Sequence, residues 1–500
     1  MSNLFPSEGI FLDRNGAAPL PRQLYFEIRR LIENGTLPAH SQLPASRVLA
    51  ADLRLARNTV IAAYDQLAIE GYLVVRRGAV PKVADLPLIP EEGRAPGQDS
   101  AGRLSQRGKV LVSQPFHHGD PGQPGFHPGM PDAEHFPFSV WSKMLAARAK
   151  HARSSLFGTY HICGHPELRE MIRRYLATSR GVNCRVEQIV VTNGAQAAFD
   201  LLARLLLDPG DTVWMEEPGY YGAASAFVSA GARLSPLRVD DDGWQLRPET
   251  AGNPRAIYVT PSCQHPLGLT MSQDQRLRLL RLAEDFDAWV IEDDYDSEYR
   301  FQGQPIPALH GISNSRRVIY VGTFAKVLFP AMRLGFMVLP AELAEASAAA
   351  LSVTGQFAPL ISQAALADFI AEGHLVRHLR KMRRLYAGRR LCFIENCEAL
   401  LGEWLHVPRT DSGIQFVCTL KNALDDHMIA TEARKLGVNL SPLSIQYRHE
   451  PGRQGLVIGF AAVNERNIPP GLRNLRRLFE TLDRAQDRAP DRAPDPRTGS

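Results

Sequence analysis

Six short runs rich in β-branched and aromatic residues, "QIVVT", "TVWME", "AIYVT", "WVIED", "VIYVG" and "GFMVL", recur between residues 188 and 339 and alternate with helical segments such as "AQAAFDLLARLLL". Strands of four to six residues spaced by helices are the rhythm of a mainly parallel sheet covered by helices. An α/β domain is therefore expected from about Phe116 onward. At 500 residues the chain is too long for one core. At roughly 150 residues per domain, two or three domains are expected.

Composition narrows the partners. With 44% hydrophobic and 22% charged residues the chain has an ordinary globular balance, and a formal charge of +4 is too small for the whole chain to bind a polyanion. Any nucleic-acid surface must be local. The cysteines, Cys163, Cys184, Cys263, Cys392, Cys397 and Cys418, show neither a C-x-x-C pair nor metal-ligand spacing with histidine, which fits reduced thiols in a cytoplasmic protein and no metal site. The N-terminus "MSNLFPSEGIFLDRNG" lacks a basic start followed by an apolar core, and no run approaches the ~20 apolar residues that span a bilayer.

Ahead of the α/β region lies a different pattern. In "PRQLYFEIRRLIENG" the residues Leu24, Ile28, Leu31 and Ile32 make one apolar stripe that ends at Gly35. "ASRVLAADL" fits a second helix. "RNTVIAAYDQLAIEG" fits a third, with Val60, Tyr64, Leu67 and Ala68 inward. The three-residue turn "RLA" between them suggests a helix-turn-helix. Arg57, Asn58 and Thr59 open the third helix and point outward, where they can donate to phosphates and base edges in a major groove. The following hairpin adds Arg76, Arg77 and Lys82, so residues 40–84 hold six basic side chains against three acidic ones. "LPASRVLAADLRLARNTVIAAYDQLAIEGYL" resembles the GntR-type winged helix-turn-helix, and the resemblance implies DNA contacts by Arg47, Arg57, Asn58 and Thr59. Two departures stand out. Ala56 replaces the usual capping serine, which costs ~1 kcal/mol, and "RRGAVPKV" replaces the usual wing, with Pro81 removing a ladder donor.

The stretch "YVGTFAKVLFPAMR" sets Lys326 in an apolar run. An unpaired ammonium is expensive to bury, so Lys326 is either a snorkelling residue or a chemically used amine. A Walker loop is excluded because no second glycine precedes the lysine, and a Ser-x-x-Lys nucleophile would have to be Thr323 without its companion motifs. Neighbouring strand ends supply the context. "WVIE" runs into "DDYD", a carboxylate source at the sheet's carboxyl edge able to hold a protonated heterocyclic nitrogen. "QIVVT" runs into "NGAQ" and a helix, so the amides of Gly194 and Ala195 would form a phosphate seat. After "TVWME", Tyr220 of "EPGYYG" offers a stacking face. Reactive lysine, nitrogen-pairing carboxylate, phosphate seat and stacking ring together describe a pyridoxal 5′-phosphate site.

Residues 116 to about 480 resemble the aminotransferase-like domain of fold type I pyridoxal-phosphate enzymes. With the GntR-type head, the whole chain resembles the MocR subfamily of bacterial transcriptional regulators. That resemblance implies a cofactor Schiff base on Lys326, Asp293 on the pyridine nitrogen, Tyr295 on the ring hydroxyl and Tyr220 stacked on the ring. Gly194, Ala195, Thr323 and Arg333 would hold the phosphate. "FHPGMPDAEHFPFSVW" and "TPSCQHPLGLTMS" are also family-like, although Cys263 stands where histidine is common. His265 precedes the "PLG" turn, as a ring contact or as loop packing, and Asp294 and Asp296 are read as solvated or supporting carboxylates.

The expected division is a winged helix-turn-helix domain over 18–86, a linker over 87–115, an aminotransferase-like domain over 116–482 and a disordered tail over 483–500. Three functions are weighed: a regulator that senses the cofactor or an amine effector, an active aminotransferase carrying a DNA-binding module, and a repressor whose large domain only dimerises. Transaminases usually place a carboxylate-binding arginine just before a stretch like "IGFA". Here Val457 stands there, with Arg453 and Arg448 upstream as substitutes for an effector carboxylate. A sensor with at most half-transamination is the expectation, and the resemblance implies a homodimer on operator DNA.

Overall fold

The structure, a computed structural model, describes residues 5, 10–14, 16, 18–76, 79–85, 104–114, 125–151, 156, 158, 160–247, 252–313, 315–449 and 452–487. The chain divides into two compact units, residues 1–103 and 104–500.

The first unit contains α1 (Leu20–Glu33), α2 (Ser46–Asp52) and α3 (Arg57–Ile69), followed by β1 (Leu73–Val74) and β2 (Lys82–Val83) in antiparallel pairing. The expected stripe Leu24, Ile28, Leu31 and Ile32 is buried with Val60, Tyr64 and Leu67 in one core. The turn between α2 and α3 works because Arg54 adopts φ 51°, after which Leu55 N–H donates to the Ala50 carbonyl at 2.8 Å. Ala56 is the N-cap of α3 and supplies no side-chain bond, so the cap is missing as the sequence suggests. Pro81 lies just before β2 rather than within the ladder. Its carbonyl accepts from Leu43 N–H at 2.8 Å, and Gln42 bridges Lys82 on the side of β2 away from β1. Arg14 donates to the carbonyls of Leu53 and Arg54, closing the end of α2. Arg77 lies outside the described residues.

The second unit opens with a helix the sequence reading did not foresee. Within the stretch expected as linker, α4 (Gln106–Val112) is capped by Ser105, whose hydroxyl accepts from Gly108 N–H, and it lies against helix Tyr221–Ser229. The main sheet comprises β3 (Ile189–Thr192), β4 (Thr212–Glu217), β5 (Arg233–Asp240), β6 (Gly243–Trp244), β7 (Ala256–Val259), β8 (Trp289–Asp294), β9 (Val318–Thr323) and β10 (Gly335–Val338). Their order is β3-β10-β9-β8-β7-β4-β5-β6. Strands β9, β8, β7, β4 and β5 run parallel, and β10 is antiparallel to both its neighbours.

Side chains alternate across this sheet. Tyr258, Trp289 and Ile291 pack on one face with Phe199 and Leu202 of helix Ala195–Leu206, while Ile257, Val259 and Val290 pack on the other with Leu279 and Leu280 of helix Gln273–Asp285. Asp293 therefore belongs to the first face, and Glu292 and Asp294 to the second.

A smaller antiparallel sheet, β11 (Leu405–His406), β12 (Gln415–Leu420), β13 (Ser441–Pro442) and β14 (Gly455–Gly459), has the order β11-β12-β14-β13. The final helix, Ile468–Asp487, runs into the stretch expected as tail because Asp483 accepts from the indole N–H of Trp404. Residues 488–500 lie outside the described residues. Among the described residues no helix is long and apolar enough to cross a membrane, and all six cysteines are free.

Candidate functional site

After β9 the chain turns with Phe324, Val327 and Leu328 in the core, and this packing carries Lys326 inward. Its ammonium is half-buried and donates to the Gly129 carbonyl at 2.6 Å. Burial pushes its pKa down, against the opposing charges of Asp296 and Asp293. The snorkelling alternative fails, because the amine is turned inward onto a backbone carbonyl.

Asp293 is the penultimate residue of β8, on the face covered by helix Ala195–Leu206. Tyr258 on the adjacent strand donates to its Oδ2 at 2.6 Å, while Oδ1 is buried and unpartnered. Burial raises this carboxyl to about 7. A buried acceptor without a donor is costly, about 1–3 kcal/mol, so Oδ1 is the place for a ligand's N–H. Asp294 points to the other face, paired with Arg180 at 2.7 Å and bonded by Tyr320. Asp296 turns back toward Lys326; its Oδ2 accepts from Ile414 N–H at 3.0 Å and its Oδ1 is buried and unpartnered. Both carboxylates are buried rather than solvated, which corrects the solvated reading of "DDYD".

The residues expected to hold a phosphate are brought near one another by the sheet register. Gly335 stands opposite Thr192 on one side and Thr323 on the other, and a Cβ there would come within 2.8 Å of Gly194 C and 3.0 Å of Ala195 N. Gly194 caps helix Ala195–Leu206 at φ 79°, a conformation that glycine tolerates. Arg333 is exposed at φ 49° and its guanidinium carbon lies 4.0 Å from where a Gly194 Cβ would stand. Helix N-terminus and guanidinium thus lie close together, an arrangement suited to an anion, while the Thr323 hydroxyl accepts from Ala325 N–H at 3.2 Å.

Tyr220 caps helix Tyr221–Ser229, and its phenol, raised mainly by burial, feels Asp293 and Arg333. The His265 ring sits between Tyr220 and Tyr295, at centroid distances of 5.3 and 5.7 Å, and burial drives its pKa down to about 3. It is a neutral wall of the site. Tyr295 O–H contacts Cys263 Sγ at 3.7 Å.

On the C-terminal side, Val457 is buried in an apolar cluster with Val417 and Leu443. Arg453 lies at the surface and makes a two-point ion pair with Asp241, at 2.8 and 3.2 Å. Its guanidinium is engaged there. Arg448 stacks 4.5 Å from the Tyr221 ring, with one Nη2 buried and unpartnered. Sequence reasoning missed the Gly129 carbonyl, Tyr258 and Gln415. Of these, only Tyr258 carried a local signal, through its place on the strand beside Asp293.

In the first unit Arg47, Arg57 and Asn58 are exposed and Thr59 is half-buried. Arg57 Nε reaches Ser46 Oγ only at 3.5 Å, leaving the start of α3 available to a polyanion.

Residues 130–474 match the family of class I and II aminotransferases, and residues 20–80 match the bacterial regulatory proteins of the gntR family. The fold and the lysine-centred site thus define a helix-turn-helix protein joined to a fold type I aminotransferase-like unit. The chain belongs to the MocR-type family of DNA-binding transcriptional regulators. It is 47% identical to a probable rhizopine catabolism regulatory protein MocR of Rhizobium meliloti, over 95% of this chain and 96% of that protein. It is 33% identical to YdeL, an uncharacterized HTH-type transcriptional regulator of Bacillus subtilis, over 93% of this chain and 98% of that one. Among solved structures, Pyrococcus horikoshii kynurenine aminotransferase in complex with PMP is similar with a TM-score of 0.66 and 26% identity, covering 76% of this chain and 95% of that one.

Proposed function

We propose that this regulator holds pyridoxal 5′-phosphate on Lys326 and uses the site to report an amine effector to the DNA-binding head. The observation that carries the reading is the buried, unpartnered Asp293 Oδ1 on the same sheet edge as an inward-turned, half-buried lysine amine. Asp293 would pair with the ring nitrogen, Tyr220 would cover the ring, and Tyr295 would meet its hydroxyl oxygen. Gly194, Ala195, Thr323 and Arg333 would hold the phosphate. When bound, pyridoxal 5′-phosphate supplies an aldehyde carbon that condenses with primary amines, next to a ring that withdraws electrons.

This chain's residues favour sensing over turnover. Val457 gives a carboxylate no partner and Arg453 is engaged by Asp241, which leaves Arg448, stacked on Tyr221, as the one remaining candidate for a carboxylate and no arginine at the usual anchor position. Orientation supplies ~7 to 11 kcal/mol in well-held sites, and here it would be poorly used. Binding of an amine still shifts a two-state protein if the two states bind it differently. A homodimer in the cytoplasm, with Arg47, Arg57, Asn58 and Thr59 on operator DNA, completes the reading.

The experiment is an operator titration of the cofactor-loaded protein with the visible spectrum recorded on the same samples. Arg57→Ala is expected to weaken operator binding by about tenfold or more, the effect of one base contact worth ~1 to 3 kcal/mol. Arg30→Ala, a surface change at the end of α1 where the guanidinium pairs with Glu27, serves as the control. Equal affinities for the two variants would remove the start of α3 from the interface. An effector amine is expected to change spectrum and affinity at the same concentration, whereas sustained keto-acid exchange would favour the aminotransferase.

A further inference from the structure

The helices of the first unit end in the same way but not in the same residue. Past α1 the chain takes Gly35 at φ 76°, and past α3 it takes Gly71 at φ 82°. A Cβ on either glycine would meet nothing within 4 Å, so the backbone angle, not crowding, calls for glycine there. Past α2 the equivalent place is filled by Arg54, at φ 51°. The match with α3 extends to the hydrogen bonds. Gly71 N–H donates to the Ala68 carbonyl at 3.1 Å and Tyr72 N–H to that of Leu67 at 2.8 Å. Arg54 N–H donates to the Ala51 carbonyl at 3.2 Å and Leu55 N–H to that of Ala50 at 2.8 Å.

A side chain in the left-handed region costs free energy that glycine avoids, and such strain persists only where the surroundings hold it. Arg14 holds it here. Its Nη2 donates to the Leu53 carbonyl at 3.4 Å and to the Arg54 carbonyl at 3.1 Å. Gln23 in turn fastens the segment that carries Arg14, accepting from Asp13 N–H at 2.8 Å and donating to the Asp13 carbonyl at 2.9 Å. All of these bonds engage the backbone of the turn, and glycine at 54 would make them equally well. The Arg54 side chain adds nothing to the turn. It is exposed, and among the described residues no hydrogen bond or ion pair engages its guanidinium.

The place of this unused cation gives it a role. Arg54 stands in the turn that joins α2 to α3, three residues before Arg57, which opens α3. A helix-turn-helix that reads bases from the start of its second helix crosses the DNA backbone with its first. The turn between the two then runs beside that backbone, where a guanidinium meets phosphate oxygens in a charge-assisted, two-point geometry.

Resting on the proposed contact of α3 with the operator, we infer that Arg54 is a further DNA-binding residue that takes a backbone phosphate, and that this contact is served by an arginine where glycine would suit the turn better.

The test compares full-length parent, Arg54→Gly, Arg54→Lys and Arg57→Ala proteins on a selected operator duplex and on a random duplex of equal length, over a range of salt. Arg54→Gly is expected to exchange the amide hydrogens of α2 and α3 no faster than the parent, because glycine accepts the left-handed angle. It is nevertheless expected to bind both duplexes about threefold or more weakly, with a slope of log affinity against log salt shallower by about 0.9, the value for one phosphate. Arg54→Lys, which keeps the charge, should retain the parent's slope. Arg57→Ala should lose affinity mainly for the operator, since base contacts carry the sequence preference. Parental affinity and slope in Arg54→Gly, with Arg57→Ala weakened, overturns the inference and leaves the reading of α3 in place. A loss confined to the operator duplex also overturns it, since Arg54 would then read a base. If neither Arg54→Gly nor Arg57→Ala differs from the parent, the reading of α3 fails and the inference falls with it. Should glycine speed exchange across the turn, the same slope measured on Arg54→Asn, whose side chain also accepts a left-handed angle, decides.

Discussion

Replacing Asp293 with alanine is expected to weaken pyridoxal 5′-phosphate binding by roughly 30-fold to several thousandfold, the effect of removing one partner from a buried charged pair, about 2 to 5 kcal/mol. The side chain sits at the end of β8, enclosed on the face under helix Ala195–Leu206, and only Oδ2 has a partner, Tyr258. Without the ring nitrogen, burial keeps the carboxyl near 7, so it is partly neutral at physiological pH. A protonated ring nitrogen would draw it into the charged form. Affinity should therefore fall in Asp293→Ala and recover only in part in Asp293→Asn, which keeps an acceptor without the charge. Spectral titration of cofactor-free protein measures it, and an Asp293→Ala affinity within about threefold of the parent, against that expectation, would remove Asp293 from the site.

The second large effect is expected at a residue with no side chain. Gly129 has φ 62°, and a Cβ there would lie 2.6 Å from Lys326 Nζ. Gly129→Ala adds a left-handed strain of roughly 1–2 kcal/mol and occupies the place where the lysine amine now rests. The amine must move, and it loses its bond to the Gly129 carbonyl. Cofactor attachment is expected to slow by about tenfold or more, with the fold retained because the affected atoms are a flexible side-chain end. Stopped-flow absorbance with pyridoxal 5′-phosphate follows it. Unchanged attachment kinetics would mean that the Gly129 contact has no part in holding the amine.

How much of this was legible beforehand differs from element to element. All six β-rich runs are strands, because a strand covered on both faces must be apolar along its whole length. β5 escaped notice for the converse reason. Its sequence "RLSPLRVD" includes Pro236 and two arginines, which is tolerable because the two-residue β6 covers only its end. The head was readable from its stripe of Leu24, Ile28, Leu31 and Ile32, while Arg54 gave no sign that it would take the left-handed turn.

The candidate site was legible where function follows strand ends and illegible where it depends on distant loops. Lys326, the Gly194–Ala195 turn, Thr323 and Arg333 are placed by the sheet's register. Asp293 and Asp294 are adjacent, and period-two alternation alone sends them to opposite faces. Asp296 was beyond such reasoning because its partner Ile414 lies 118 residues away. Gly129 and Gln415 come from segments that no local pattern ties to Lys326. Arg453, a candidate for an effector carboxylate on proximity to Val457, is drawn to Asp241 on a different loop.

The central claim is a covalent cofactor on one lysine of a DNA-binding regulator. Borohydride reduction of the cofactor-saturated protein, followed by digestion and peptide mass measurement, tests it most directly. A single phosphopyridoxyl group is expected, on Lys326, absent from Lys326→Ala prepared in the same way. An unmodified Lys326 peptide from saturated protein, or the same modification on another lysine in both proteins, would contradict it.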